Sequence, residues 1–123
     1  MTHEVAYETL SYETRSELHG KLADYLEASH PDEPPLDTLA FHYGRSANEG
    51  KRRRYFRLAA ESAAAAWANE SAIDYYTRLL AEGLDPVERA GVLVDRGEVF
   101  DTIGNIDAAL ADFRTATGRA LGR

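Results

Sequence analysis

One basic run stands out among the charged residues of this sequence for the chemistry it could do. Residues 51–54 are Lys-Arg-Arg-Arg, and Arg57 follows about one helical turn later. Runs of this kind are common on solvated helix faces. At the start of a helix, however, cations oppose the macrodipole at a cost of about a few tenths of a kcal/mol. That cost suggests a further use for the run, such as contact with a charged partner.

The other reactive side chains form no catalytic or metal-binding pattern. The sequence has no cysteine, no glycine-rich phosphate loop and no serine nucleophile elbow, so it lacks the known loops for nucleotides and the known nucleophile motifs. None of the four histidines forms the i, i+4 pair of a helical metal site, and His42 is interpreted as a packed or half-exposed side chain rather than a ligand. The paired carboxylates Asp95 and Glu98 are interpreted as solvated surface. We therefore expect no enzymatic activity, no cofactor and no metal ion.

Composition predicts an all-α fold and restricts the partners. The 123 residues include 20 Ala and 13 Leu but only five Val and three Ile, and Ala and Leu favour helices whereas β-branched residues favour strands. The net charge of -7 argues against a dedicated nucleic-acid binder, because phosphate binding needs a basic surface. Neither a membrane span nor a signal-peptide pattern is recognisable. We expect a soluble, cytoplasmic protein with no membrane partner.

Start and stop signals predict about seven short helices joined by tight turns. Residues 30–35 contain three prolines and form the clearest linker, because proline denies a helix one hydrogen bond and holds the preceding residue extended. We expect a helical pair over residues 1–33 that leads into one continuous array over residues 34–123. The predicted helices cover residues 3–10, 14–29, 36–47, 51–67, 69–82, 86–103 and 106–120.

Capping and apolar patterns predict the ends and faces of these helices. A capping box at Thr14 is predicted to open the second helix, and Asn69 is predicted to cap the fifth. The strongest start signal is Asp85 followed by proline, which opens the sixth helix. Leu18 and Leu22 are predicted to face inward. The last helix is predicted to bury Ile106, Ala109, Leu110, Phe113, Ala116 and Ala120.

The last two helix pairs repeat the same packing positions. An alanine, an aromatic residue and a small or apolar residue recur with spacings of four and then three, and a small residue stands twelve positions before each alanine. Small residues let two helices cross closely, while the aromatic residues fill the space beside them. The packing positions are Ala60, Ala72 and Tyr76 in the first pair, and Gly97, Phe100, Gly104, Ala109, Phe113 and Ala116 in the second.

This pattern resembles the tetratricopeptide repeat (TPR), a helix-turn-helix unit of about 34 residues. The resemblance is close over residues 90–123 and weaker in the preceding unit, where the spacing is 37 residues. A second register places Ala40, Tyr43, Phe56 and Ala59 at repeat positions of an earlier unit, and both registers stay open. Either one implies an α-solenoid of stacked antiparallel hairpins.

A second resemblance covers most of the chain. The sequence is similar to the region that follows the ATPase module in large bacterial and archaeal signalling ATPases, through VAYETL at 5–10, Arg15, Leu18-His19, LAFHY at 39–43 and ANESAIDYY at 68–76. The resemblance implies a helical sensor or scaffold arm beside cyclase, kinase or DNA-binding output domains. We accordingly expect a piece of a longer protein, with any ATPase activity outside it. An array end without a polar cap would also allow an end-to-end homodimer.

The TPR resemblance implies a concave groove that binds peptides. The groove positions of that family are occupied here by Arg54, Arg57, Glu61, Val94, Glu98 and Asp101. Such a groove would be basic on one side and acidic on the other, which suits a charged segment. TPR domains that grip a C-terminal carboxylate carry Lys and Asn where this chain has Arg57 and Glu61, or Val94 and Glu98. A glutamate would repel the carboxylate, so we do not expect that co-chaperone role.

These observations predict a non-catalytic TPR-like scaffold that mediates protein-protein or interdomain contacts in a signalling or regulatory ATPase. Two alternatives from other classes stay open. A ligand-sensing regulatory domain would hold a small effector between helices. A nucleic-acid contact would run through residues 51–57.

Overall fold

A computed structural model of the chain describes the backbone of residues 10–120 and the side chains of residues 10–118. Over this range the fold is all-α, as predicted, with six helices and no strand. The helices are α1 (Tyr12–Ser29), α2 (Leu36–Gly44), α3 (Glu49–Ala65), α4 (Asn69–Leu80), α5 (Pro86–Thr102) and α6 (Ile106–Ala120). The helix predicted over residues 3–10 lies outside the described residues, apart from Leu10.

Packing divides the chain into two compact units, Met1–Tyr55 and Phe56–Arg123, and the division falls inside α3. In the first unit α1 packs against α2, and in the second unit α5 packs against both α4 and α6. The boundary predicted at residue 33 and the single continuous array stay predictions. Of the helices that are described, none combines the length and the apolar character needed to cross a membrane.

Side-chain caps set the starts of α1 and α5. Asp85 accepts a hydrogen bond from the Glu88 amide at 2.8 Å, and Pro86 occupies the first turn, which confirms the predicted start of α5. The predicted cap at Thr14 is wrong. Ser11 is extended and accepts a hydrogen bond from the Thr14 amide at 3.1 Å, so it satisfies that donor from an earlier position and starts the helix sooner.

The junctions on either side of α3 also differ from the prediction. Asn48 accepts a hydrogen bond from the Lys51 amide at 3.0 Å, so α3 begins at Glu49, two residues earlier than predicted. The predicted cap of α4 at Asn69 is also wrong, because Asn69 is the first helical residue and Ala68 precedes it without a side-chain bond. The Ala68 amide donates to the Ala63 carbonyl in the turn that ends α3, so Ala68 lies at the junction between α3 and α4.

The small-residue face of α1 forms part of the core of the first unit. Ser16 and Ala23 are buried, and a Cβ on Gly20 would lie 3.5 Å from the Cβ of Ser46. This face therefore approaches the turn after α2 closely. Contrary to prediction, Leu18 and Leu22 are 50% and 43% exposed, because the small residues rather than the leucines are turned inward. The other buried apolar residues of this unit are Leu39, Ala40, Tyr43 and Tyr55.

In the second unit, α5 and α6 meet at Gly97. A Cβ at this position would lie 2.6 Å from Cε1 of Phe113, so only glycine leaves room for the ring where it lies. Ile106 and Leu110 were predicted to be buried but are 50% and 41% exposed, because α6 turns the face with Phe113 towards α5. Other buried apolar residues of this unit are Phe56, Ala59, Ala60, Ala72, Tyr76, Leu79, Leu80, Val92, Leu93, Val99, Ala109 and Ala116.

A partly buried ion pair, for which the sequence has no motif, fixes the same face of α6. Arg96 Nε and Nη2 donate to the two carboxylate oxygens of Asp112 at 2.8 and 2.7 Å. Arg96 Nη1 also donates to the hydroxyl of Thr77 on α4 at 3.1 Å. The two-pronged geometry is the strong form of an arginine-carboxylate pair, and it links α4, α5 and α6.

Candidate binding site

A cavity of about 250 Å³ opens in the Phe56–Arg123 unit. Its wall comes from the end of α3 and the turn after it, from α4, and from the second half of α5. The lining residues are Ala64, Trp67, Asn69, Tyr76, Asp95, Glu98, Val99 and Thr102. We refer to this site as the Tyr76 cavity.

Tyr76 is the most deeply buried polar side chain of this wall. It is 4% exposed, and its hydroxyl makes no hydrogen bond to any residue that the structure describes. Burial, reinforced by the nearby carboxylate of Asp95, raises the pKa of Tyr76 to about 12, so the phenol is neutral at physiological pH. The hydroxyl oxygen itself is not fully buried. A hydroxyl that faces a cavity without a protein partner is therefore available to a ligand as donor and acceptor.

Carboxylates dominate the charge around Tyr76. Asp95 is half-buried and lies three residues before Glu98 on α5, so the two acids share a helix face. Burial raises the pKa of Asp95, and the charges of Glu98 and Glu61 raise it further, while Arg57 opposes the rise. Three acids against one arginine leave a local excess of negative charge.

The structure brings three of the six predicted groove residues together. Arg57, Glu61 and Glu98 lie close enough to act electrostatically on both Tyr76 and Asp95. Glu98 also lines the cavity. These three residues therefore belong to the surroundings of the Tyr76 cavity.

The other three predicted groove residues lie elsewhere. Arg54 is exposed, and its guanidinium carbon lies 5.7 Å from the centre of the Tyr55 ring, within the first unit. Val94 and Asp101 are exposed on α5, and neither lines the cavity. The surroundings of the cavity are therefore more acidic than the groove predicted from the sequence.

Sequence reasoning assigned other roles to the central residues of this site. Tyr76 was predicted to serve packing only, and Asp95 was interpreted as solvated surface. Asp95 lies three residues before Glu98, a predicted groove residue, and therefore on the same helix face. That spacing could have identified Asp95 as part of the site. The sequence also gives a signal for Trp67, because this large side chain stands where the next repeat has a glycine, Gly104.

Two turns of the same type end α3 and α5 at positions 37 residues apart. After α3, the Ala68 amide donates to the Ala63 carbonyl at 2.8 Å and the Trp67 amide to the Ala64 carbonyl at 3.1 Å. This pair of hydrogen bonds defines the Schellman motif. Its left-handed residue is Trp67, with φ of 62°.

The turn after α5 has the same hydrogen bonds with a glycine in the left-handed position. The Asn105 amide donates to the Phe100 carbonyl at 2.9 Å, the Gly104 amide donates to the Asp101 carbonyl at 3.0 Å, and φ of Gly104 is 83°. The left-handed conformation costs a non-glycine residue roughly 1–2 kcal/mol. Trp67 is nevertheless 74% exposed, so packing explains little of its presence. Backbone strain of this kind clusters at functional sites.

The basic run at residues 51–54 is largely engaged within the first unit. Lys51 Nζ donates to the two carboxylate oxygens of Glu27 at 2.6 and 2.7 Å. Arg52 donates to a backbone carbonyl at 2.9 Å, and Arg53 contacts a glutamate one turn earlier at 3.5 Å. Three of the four cations in the run therefore have partners inside the chain.

Glu27 is the centre of a polar cluster in the first unit. It accepts hydrogen bonds from the hydroxyl of Tyr55 and, at 3.3 Å, from that of Tyr43, as well as from Lys51. The hydrogen bonds from Lys51 and Tyr55 hold the pKa of Glu27 below its usual range, against the opposing effect of burial. The cluster ties α1 to α2 and to the start of α3, which is a structural role.

A larger cavity, of about 600 Å³, lies in the Met1–Tyr55 unit. Its wall comes from α1, from the end of α2 and from the turn after α2, and most of its residues carry polar side chains. The lining residues are Tyr12, Glu13, Thr14, Ser16, Glu17, Gly20, Lys21, Asp24, Tyr43, Ser46, Ala47 and Asn48. We refer to it as the α1 cavity.

His42, predicted to be a packed or half-exposed side chain, is half-buried against His19. The two Nδ1 atoms are 2.9 Å apart, and the ring centres are 5.2 Å apart. Burial lowers the pKa of both imidazoles, and the charge of Arg45 adds to the effect, so the pair is uncharged at neutral pH. Within the described part of the chain, no group of three His, Cys, Asp or Glu side chains could hold a metal ion.

Comparisons with known proteins identify no relative of this chain. No family model, no curated protein and no solved structure matches the chain. Function is therefore inferred from the residues and contacts of the chain itself.

Proposed function

We propose that this chain is a non-catalytic, TPR-like scaffold that binds an extended protein segment at the Tyr76 cavity. The observation that carries the proposal is Tyr76, which lines the cavity and is 4% exposed, and whose hydroxyl has no hydrogen-bond partner among the described residues. Packing alone does not require this hydroxyl, because the matching position of the next repeat is Phe113. A bound segment would use it.

The repeated local structure supports a TPR-like solenoid. The Schellman turns at Trp67 and Gly104 are 37 residues apart, which is also the spacing between the packing residues Ala60 and Gly97. Both of these packing residues are buried. In a TPR array the groove lies on the first helix of each repeat, which here corresponds to α3 and α5, and both helices contribute to the cavity wall.

The partner segment belongs to another protein or to an adjoining domain of the parent chain. This part of the proposal follows from the resemblance to the helical arms of signalling and regulatory ATPases, which also places the role in the cytoplasm. The arm would hold the segment and thereby position an output domain. An end-to-end homodimer stays a prediction.

A ligand-sensing domain is the second candidate, and the α1 cavity is the observation that favours it. Its volume of about 600 Å³ falls within the roughly 300–1,000 Å³ that small-molecule sites occupy. The wall, however, carries Glu13, Glu17, Lys21 and Asp24, whereas such sites are lined mainly by apolar side chains. A thermal-shift screen with metabolites tests this candidate, since a ligand selective for the native state raises the Tm.

Contact with a nucleic acid receives less support from the contacts of the basic run. Lys51 is paired with Glu27, and the run's remaining charge lies in a chain of net charge -7. Binding to duplex DNA that weakens steeply with added salt would favour this third candidate. Absence of binding at low salt would exclude it.

A selection from a random peptide library tests the scaffold proposal. Peptides retained by the wild-type protein are then titrated against Thr102→Tyr, which fills the cavity from the last residue of α5. The matched control is Thr115→Tyr, an exposed α6 residue whose hydroxyl also bonds the carbonyl four residues earlier. We expect Thr102→Tyr to abolish binding and Thr115→Tyr to preserve it. Selection of no peptide, or equal binding by the two variants, would contradict the proposal.

A further inference from the structure

We propose that the Tyr76 cavity receives one arginine side chain of the bound segment. This inference rests on the proposed scaffold function and names the chemistry of its partner. The guanidinium would donate to the carboxylate of Asp95 and to the hydroxyl oxygen of Tyr76, beside the exposed ring of Trp67. All three residues line the same cavity.

The size of the cavity favours a single side chain over a whole effector. Its volume is about 250 Å³, below the roughly 300–1,000 Å³ of small-molecule sites. An extended segment passing outside the cavity would place one long side chain in it. Arginine and lysine have apolar stems that can pass Val99 and Ala64 while the charged group reaches the polar atoms inside.

The charge of the site selects a cation. Asp95 makes no ion pair or hydrogen bond with any described residue, and Glu98 and Glu61 add further negative charge. A guanidinium offers five donors in a planar fork, and carboxylates are its best partners. A neutral or acidic side chain would leave this negative charge uncompensated.

Tyr76 is the observation that makes this a site rather than a patch of acidic surface. Tyr76 is 4% exposed, and it lines the cavity. The hydroxyl lacks a partner among the described residues, and its oxygen can accept a hydrogen bond from the incoming cation. The elevated pKa keeps the phenol protonated, so its O–H can also donate a hydrogen bond to a carboxylate oxygen.

Trp67 favours arginine over lysine. Planar guanidinium groups stack on aromatic faces more often than ammonium groups do, and Trp is the best of these faces. Trp67 keeps its ring beside the cavity although its backbone is left-handed. The equivalent residue in the next repeat, Gly104, carries no side chain.

The experiment uses the fluorescence of Trp67, the only tryptophan of the sequence. The probes are acetylated and amidated Gly-Ser heptapeptides whose central residue is arginine, lysine or citrulline, and citrulline has the shape of arginine without its charge. We expect saturable quenching or a blue shift with arginine, weaker binding of lysine, and at least about tenfold weaker binding of citrulline. Equal binding of the arginine and citrulline peptides would overturn the inference.

Variants that each remove one charged side chain complete the test. Asp95→Asn should weaken arginine-peptide binding at least about tenfold, whereas its matched control, Asp101→Asn on the same helix, should stay within about twofold. Arg57→Gln removes a competing cation and should strengthen binding. Equal affinities of Asp95→Asn and Asp101→Asn would overturn the inference, and so would weaker binding by Arg57→Gln.

Two further outcomes separate this inference from the proposal on which it rests. N-acetylarginine amide is the free-ligand probe, and binding as tight as that of the heptapeptide would overturn the protein-segment source in favour of a small cation. If library peptides that bind the wild-type protein but not Thr102→Tyr contain no basic residue, the arginine inference alone is overturned. The scaffold proposal would then stand.

Discussion

Gly97 provides the most informative single substitution in the repeat packing. In the native structure a Cβ at Gly97 would lie 2.6 Å from Cε1 and 2.9 Å from Cδ1 of Phe113, whereas a Cβ at Gly91 has no atom within 4 Å. Both glycines lie inside α5. Gly91→Ala is therefore a control for Gly97→Ala, with the same chemical change in the same helix.

The expected magnitudes follow from two opposing effects. Replacing a glycine by alanine inside a helix stabilises it by up to about 1 kcal/mol, and this gain applies to both variants. Overpacking costs about 1–3 kcal/mol and applies only to Gly97→Ala. We expect Gly91→Ala to raise the free energy of unfolding, and Gly97→Ala to lie about 1–3 kcal/mol below Gly91→Ala.

Urea unfolding followed by circular dichroism measures the difference. Phe113→Leu removes the ring edge that the new Cβ would meet, so Gly97→Ala should cost less in that background, and a double-mutant cycle isolates the coupling. If Gly97→Ala stabilises the protein as much as Gly91→Ala does, the close approach of α5 and α6 at this position is refuted.

Three further variants test individual residues by calorimetry or urea unfolding. Burial raises the pKa of Asp95, so its ionised form destabilises the fold. Asp95→Asn should therefore raise the Tm at pH 7, with a gain that shrinks as the pH falls towards about 4, and a constant gain would contradict this reasoning. The pKa of Glu27 is lowered by Lys51, so its stabilising effect is present at pH 7 and is lost as the pH falls through the lowered pKa. Glu27→Gln should cost about 1–3 kcal/mol at pH 7 and little in acid, and equal costs at both pH values would refute the pairing. Gly104→Ala should cost roughly 1–2 kcal/mol, because φ is 83°, and an unchanged free energy of unfolding would contradict the left-handed turn.

Helix positions were largely predictable from the sequence because caps and linkers act between neighbouring residues. The start of α5 at Asp85 shows this, since the cap and the proline are adjacent in sequence. Helix faces were less predictable. Leu18 and Ile106 are exposed because distant contacts, such as the approach of Gly20 to Ser46, decide which face turns inward.

The candidate site was predictable in part for the same reason. The repeat pattern placed Arg57, Glu61 and Glu98 on a groove, and the structure brings these three together. The role proposed for Tyr76 depends on its hydroxyl having no partner, and that of Trp67 on a left-handed backbone. Neither property is visible in the order of the residues.

The central claim is that a protein segment binds at the Tyr76 cavity. The most direct measurement is a map of backbone-amide NMR shifts in the ¹⁵N-labelled protein, titrated with the tightest peptide from the library. We expect shifts confined to the cavity wall, at residues 64–69, 76 and 95–102, with the Trp67 indole resonance among the largest. Shifts confined to the wall of the α1 cavity, at residues 12–24 and 43–48, would contradict the claim.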